Sequence, residues 1–249
     1  MCIHRLLSRR LFTLWALLLL MTLLITAPTV RGQNLEPAQT KPLIFYPQRL
    51  SEGAWWTSVG FTAVAPPVEI TEAMQVRWPA FDYHTLYGLP KGFFLDGRAA
   101  VQVLQNRLSA GPKWASAVGP VSFSIGWDLA YWFGALTVGQ FDSKAHGWES
   151  TPNITLGYQL GDVAASLKSE ALFVHSLTTY QADLEVGSTK RTFAGYAFTI
   201  TLEQPFYKDQ YLTLGFRAMY TKFYWMTWSL FPTFARYLFF PEIIVGWIL

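Results

Sequence analysis

Cysteine is almost missing from this chain of 249 residues. The one example, Cys2, lies before an apolar run at the N-terminus, so no internal disulfide can form. Charge is scarce too: Asp, Glu, Lys and Arg make up 14% of the sequence, against ~25% in ordinary soluble domains. Beyond residue 24 no apolar run reaches the ~18–20 residues that a spanning helix needs, which excludes a helical inner-membrane protein. There is no Gly-rich phosphate loop, no Cys/His set at metal spacing and no nucleophile elbow. No cofactor, metal or catalytic residue is therefore expected. The formal charge of +3 is also local in origin. Residues 1–32 hold Arg5, Arg9, Arg10 and Arg31 and no acid, so without them +3 becomes −1, and nucleic-acid binding loses its electrostatic support.

What is present begins with a leader. His4, Arg5, Arg9 and Arg10 precede the apolar stretch Leu11–Leu24, and Val30 and Gly32 occupy the −3 and −1 positions of a cleavage site before Gln33. Cleavage after Ala27 is a second option. Residues 1–32 read as a signal peptide, too short in its apolar part to anchor. Ser8–Phe12 also resembles a twin-arginine signal, but the Leu-rich run favours the ordinary secretory route. Residues 33–52, polar and Pro-containing, read as a periplasmic lead-in, and 53–249 as one domain.

Along that domain, aromatic residues are abundant (17% of the chain) and hydrophobicity alternates. Val121, Phe123, Ile125, Trp127, Leu129, Tyr131 and Phe133 form one row, interleaved with Ser122, Ser124, Gly126 and Asp128. Leu212–Tyr220, Ala194–Leu202 and Phe93–Val103 alternate in the same way. Period-two alternation puts the two rows on opposite faces of a strand. The runs last roughly 10–16 residues, whereas soluble strands average ~5–6 and a tilted bilayer-crossing strand needs ~9–11. The less apolar rows carry Gly, Ala, Ser and Thr, not the Lys and Glu of a solvated face, which suits a tight interior. Gly161-Asp162 signals a two-residue hairpin, and pairing Leu160 with Val163 matches Gln159 to Ala164, Gly157 to Ser166 and Thr155 to Lys168.

The last strand, Phe239 to Leu249, has one wholly apolar row: Phe239, Pro241, Ile243, Val245, Trp247 and Leu249. It resembles the closing strand of bacterial outer-membrane β-barrels, with Leu249 where that family usually has Phe or Trp. The resemblance implies an all-β, antiparallel, up-and-down transmembrane barrel of the small OmpA/OmpX type in the outer membrane of a Gram-negative cell. It also implies contact with outer-membrane lipid and recognition of Ile243, Val245, Trp247 and Leu249 by barrel-assembly machinery. Counting back from a periplasmic C-terminus gives eight strands: 54–65, 92–107, 120–136, 151–160, 163–176, 192–204, 209–224 and 238–249. Extracellular loops then fall at 66–91, 137–151, 177–191 and 226–237. Ten strands are the alternative, with the extra pair at 69–79 and 43–47.

The inward rows carry Asp96, Arg98, Gln102, Asp128, Lys168, Glu170, Glu203 and Arg217. In an eight-stranded barrel, side chains alone fill the interior. These residues are expected to neutralise one another as a polar core, with Arg98 a diagonal step from Asp128. A porin-like narrow pore lined by them is the second reading. Trp55, Trp56, Tyr131, Trp132, Tyr207, Tyr211, Tyr224, Trp225, Trp228 and Trp247 are expected to form interfacial girdles. The role implied is structural or surface-binding, through loops that meet an unidentified extracellular ligand. A third reading, a lipid A-modifying enzyme, is suggested by His175, Ser176 and Glu170. Adjacent strand residues face opposite ways, however, which separates His175 from Ser176.

Overall fold

The computed structural model describes residues 42–67, 69, 78–138, 141–181, 184–207, 210–228 and 236–249. The leader (1–32) and the first part of the lead-in lie outside the described residues. Ten antiparallel strands close into one barrel: β1 (Trp55–Val64), β2 (Trp78–Gly88), β3 (Phe93–Val101), β4 (Gln105–Val118), β5 (Val121–Val138), β6 (Phe141–Leu160), β7 (Val163–Gln181), β8 (Leu184–Tyr207), β9 (Gln210–Thr221) and β10 (Leu238–Ile248). Each strand pairs with its chain neighbours, and β10 closes on β1 through pairs such as Ser58 with Ile248 and Gly60 with Gly246. At that seam a Cβ on Gly60 would lie 2.2 Å from the Val245 carbonyl oxygen, so the closure requires glycine.

The count of ten corrects the expectation of eight; of the pair offered by the ten-strand alternative, 43–47 is not a strand and 70–77 lies outside the described residues, so the extra strands are found elsewhere. They are β2, inside the expected loop 66–91, and β4, which occupies 105–118. The run 92–107 is therefore not one strand but the start of a β3–β4 hairpin, and β3 runs opposite to the direction expected for it. Both strands alternate cleanly once seen. In β2, Phe81, Tyr83 and Tyr87 face out while Ala80, Asp82, His84 and Leu86 are buried. Pro79, its second residue, and Pro90, just beyond its end, gave it the look of a loop. In β4, Gly111-Pro112 reads as a turn. Here it is a strand interior in which Pro112 lacks an N–H and faces outward, and Gly111 admits β5: a Cβ there would lie 2.0 Å from the Trp127 carbonyl.

The apolar rows face outward. Phe61, Ile125, Leu129, Ile154, Ile200 and Ile243 are each about half exposed, with no polar partner outside them. A soluble barrel would bury these side chains. This belt of apolar side chains is the surface a bilayer solvates, and barrel closure satisfies every strand edge within it.

At one end, the β6–β7 connection is the Gly161-Asp162 turn, with the pairs Leu160–Val163, Gln159–Ala164, Gly157–Ser166 and Thr155–Lys168. At the other end, strands β5, β6, β7 and β8 continue for 18, 20, 19 and 24 residues, whereas β1, β2, β3 and β10 have 10, 11, 9 and 11. Stretches 137–151 and 177–191, expected as loops, are mostly the upper parts of these long hairpins.

Candidate functional site

Ten strands enclose more room than lumen side chains fill in eight. Two inserts occupy the difference. At the short-turn end, residues 42–50 cross the lumen as a strap: Leu43, Ile44, Tyr46 and Leu50 are buried. They pack with Leu86, Phe94, Ala115, Ala164 and Ile248 of the wall. The strap is latched by one side chain. The Glu203 carboxylate accepts the backbone N–H groups of Ile44 (2.8 Å), Phe45 (3.1 and 3.2 Å) and Tyr46 (2.8 Å). No cation pairs with Glu203 among the described residues; three consecutive backbone donors meet its charge.

At the long-hairpin end, the chain after β9 turns inward. Phe223, Tyr224, Trp225, Met226 and Trp228 pack against Trp132, Val174, Leu177, Met219 and Phe240. Trp225–Thr227 form a single 3₁₀ turn. Gln105 ties this insert to the wall: its Nε2 donates to the Met226 carbonyl at 2.7 Å and to Gln102 Oε1 at 2.5 Å. The insert fits because Gly134 faces it, where a Cβ would lie 2.3 Å from the Trp228 indole nitrogen.

Between the apolar inserts lies a charged layer that crosses the barrel. His84 Nε2 meets Asp96 at 2.7 Å, and Asp96 also takes Lys113. Lys113 reaches Asp128 at 3.5 Å; Asp128 accepts from Asn153 at 3.0 Å and lies 3.6 Å from Lys168. Lys168 meets Glu170 at 2.9 Å, Glu170 meets Arg217 at 2.8 Å, and Arg217 lies 3.6 Å from Glu242, which accepts from Tyr224 at 3.2 Å. Beside this chain, Arg98 grips both oxygens of Asp82 (2.5–2.9 Å), and Arg107 lies 3.4 Å from Glu149. The space left in the layer is a cavity of ≈ 60 Å³.

The structure thus turns Asp96, Arg98, Gln102, Asp128, Lys168, Glu170, Glu203 and Arg217 inward. Asp96, Asp128, Lys168, Glu170 and Arg217 belong to one network. Arg98 does not meet Asp128: β4 stands between β3 and β5, so Lys113 bridges to Asp128 and Arg98 pairs with Asp82 on β2 instead. Gln102 serves the upper insert and Glu203 the strap. Sequence reasoning did not single out Asp82, His84, Arg107, Lys113, Glu149 or Glu242. Most of them sit on or against the two unrecognised strands, and their signal was the same alternation, masked by proline. Ile243, Val245, Trp247 and Leu249 lie on the outward row of β10, with Glu242 and Ile244 facing in. Of the expected girdle, Trp55 and Tyr207 are exposed, but Trp132, Tyr224, Trp225 and Trp228 are buried in the lumen. Residues 223–228, which follow β9, fold back into the barrel and take Tyr224, Trp225 and Trp228 with them.

His175, Ser176 and Glu170 are not brought together. Glu170 is in the charged layer. His175 is exposed at a β-bulge, where the β6–β7 register shifts between Trp148 and Glu149, and its Nε2 is 2.8 Å from Ser150 Oγ. No group of three or more metal-ligating side chains occurs among the described residues.

No protein-family profile and no curated sequence matches the chain. Among solved structures it is similar to Neisserial surface protein A, at 8% identity over 78% of this chain and 96% of that one (TM-score 0.38). It is also similar to the Ail attachment invasion locus protein of Yersinia pestis, at 10% identity over 80% and 100% (TM-score 0.35), and to the translocator domain of the autotransporter NalP of Neisseria meningitidis, at 8% over 79% and 88% (TM-score 0.39). With its closed antiparallel wall, apolar outer belt and polar filled lumen, this chain is a β-barrel of the bacterial outer-membrane class, integral to the outer membrane.

Proposed function

We propose that the barrel is a plugged platform whose β5–β8 wall binds an extracellular partner, and that it neither conducts solutes nor catalyses a reaction. The observation that carries this is the strand-length asymmetry. A crossing uses ~9–11 residues, so roughly 8–13 residues of β5, β6, β7 and β8 extend beyond the hydrocarbon as a one-sided wall. Short turns face the periplasm and long hairpins face outside in such barrels, which gives the wall its extracellular direction. The lumen supports the same reading, since apolar inserts fill both ends and paired charges the middle.

The test is to replace the β7–β8 tip, Thr179–Ser188, with a two-residue turn. Purified wild-type and shortened forms in nanodiscs are then compared on arrays of glycans and extracellular-matrix proteins. The shortened form should keep its heat-modifiable gel mobility and lose array binding. Identical binding by both forms, or stable single-channel steps from the wild type in planar bilayers, would overturn the proposal.

A further inference from the structure

A sizeable cavity lies outside the barrel. It is a groove of ≈ 710 Å³ in the lipid-facing wall, within the ~300–1,000 Å³ of ordinary ligand sites. Its geometry follows from register. One row of cross-strand neighbours, Trp114–Ile125–Ile154–Ser169–Phe198, runs around the wall. One step nearer the long hairpins come Pro112, Trp127, Pro152 and Ala171. Trp127, Ile125 and Phe198 stand up as rims, 58%, 53% and 47% exposed, while Pro152, Ser169 and Ala171 form a low floor. Small side chains and a proline on the neighbouring strands β6 and β7 thus cut a channel into an otherwise bulky apolar belt.

A polar pair lies beyond the groove's lining, toward the long hairpins. Ser150 lies two residues beyond Pro152 on β6, about 7 Å along the strand. It is hydrogen-bonded to His175 Nε2 at 2.8 Å. Ser150 is also ten residues from Leu160 at the short-turn end of β6, one bilayer crossing away, so the pair sits at the far interface. The aromatic pairs Tyr131–Trp148 (4.9 Å) and Phe173–Phe193 (5.3 Å) flank it. On β8 the register pairs Val174 with Thr192 and Ser176 with Lys190, which sets Arg191 at the step of His175. Lys190 and Arg191 are both exposed. Arg191 holds a φ of 51°, a left-handed conformation uncommon outside glycine, so a cation is kept where a glycine would fit more easily.

We propose that this groove is a specific site for lipid A, the acylated and phosphorylated lipid of the outer leaflet. One acyl chain lies along Pro152, Ala171 and Ser169 toward the bilayer centre. The chain's carbonyl linkage or hydroxyl bonds to the exposed His175 ring, which the buried Ser150 holds from beneath, and a phosphate meets Arg191 at the same step. The surrounding medium of the groove is lipid, and the order apolar, hydrogen-bonding, cationic along the membrane normal matches the order acyl chain, linkage, phosphate in that molecule. The site rests on the orientation given above, with the long hairpins outside.

Native mass spectrometry of the detergent-purified protein, incubated with lipid A or with phosphatidylglycerol, tests it. Wild type should retain one lipid A through delipidation and should retain it at least tenfold better than phosphatidylglycerol. Ala171→Trp, which fills the groove from the lipid side, should abolish retention. Arg191→Gly should weaken it about tenfold while leaving heat-modifiable folding intact or improved, because it removes charge and strain together. Undiminished retention by Ala171→Trp, or equal retention of phosphatidylglycerol, would overturn the site. Protease cleavage of the β7–β8 tip on intact cells checks the orientation separately, so a wrong orientation and an absent lipid site give different results.

Discussion

Glu203 is the point at which the strap can be released by changing one side chain. Its carboxylate receives three consecutive backbone N–H groups, at 2.8, 3.1 and 2.8 Å, in a buried position. Hydrogen bonds to a charged group contribute ~1.5–3 kcal/mol each, so three give ~4–9 kcal/mol before water at the barrel mouth replaces part of them. Taking about half as net, Glu203→Ala should weaken local docking of residues 44–46 by roughly 3–4 kcal/mol, or ~100–1,000-fold in the open population. Leu43 and Leu50 remain buried in the mutant, so the barrel itself should stay folded. Glu203→Gln keeps one acceptor but sets an NH₂ against three donors, and should fall between wild type and alanine. The assay is amide hydrogen exchange in nanodiscs, read at Ile44, Phe45 and Tyr46. Exchange there should quicken by at least ~100-fold in Glu203→Ala, with β1 and β10 unchanged. Because the aromatic insert still closes the opposite end, the variant should remain non-conducting. Unaltered protection at the three amides would refute the latch.

Other consequences follow from the same geometry. Lys113 is the cation between Asp96 and Asp128; Lys113→Met strands buried carboxylates and should cost about 3–5 kcal/mol, seen as a lower urea midpoint for unfolding from detergent. If Asp96→Asn added to that variant restored nothing, the pairing would not be what the lysine supplies. Gly134→Ala drives a methyl into Trp228 and should destabilise by about 1–3 kcal/mol, with a shift in tryptophan emission as the indole moves; an unchanged spectrum and midpoint would mean the insert does not seat there. Gly60→Val should block closure of β1 on β10, giving a form that no longer shows heat-modifiable mobility, whereas Gly119→Ala, in open space but at a left-handed φ of 60°, should cost only about 1 kcal/mol of local turn strain and still close.

Alternation is a local property, and it made the barrel class legible. The rows through Ile125, Phe198, Leu214 and Val245 marked which face meets lipid, and the Gly161-Asp162 turn fixed one hairpin register to the residue. The inward acids and bases on those strands were legible for the same reason. What the sequence could not supply was the number of strands and the identity of the partners. Pro79, Pro90 and Gly111-Pro112 carry turn chemistry, and only their neighbours in space show that they lie at a strand start, beyond a strand end and within a wall. Inserting β2 and β4 moved every cross-strand partner of β3, which is why Arg98 meets Asp82 and Lys113 reaches Asp128.

The inserts belong wholly to the tertiary structure. Residues 42–50 and 223–228 have no strand period that announces a plug, and Tyr224, Trp225 and Trp228 would serve an interfacial girdle equally well by composition. They lie inside because ten strands enclose a volume that wall side chains leave unfilled, and apolar surface fills it. The sequence by itself determined a membrane barrel with an oily outside and a polar inside. Closure of the wall decided how wide that inside is, and the width decided that the chain must fill it with itself.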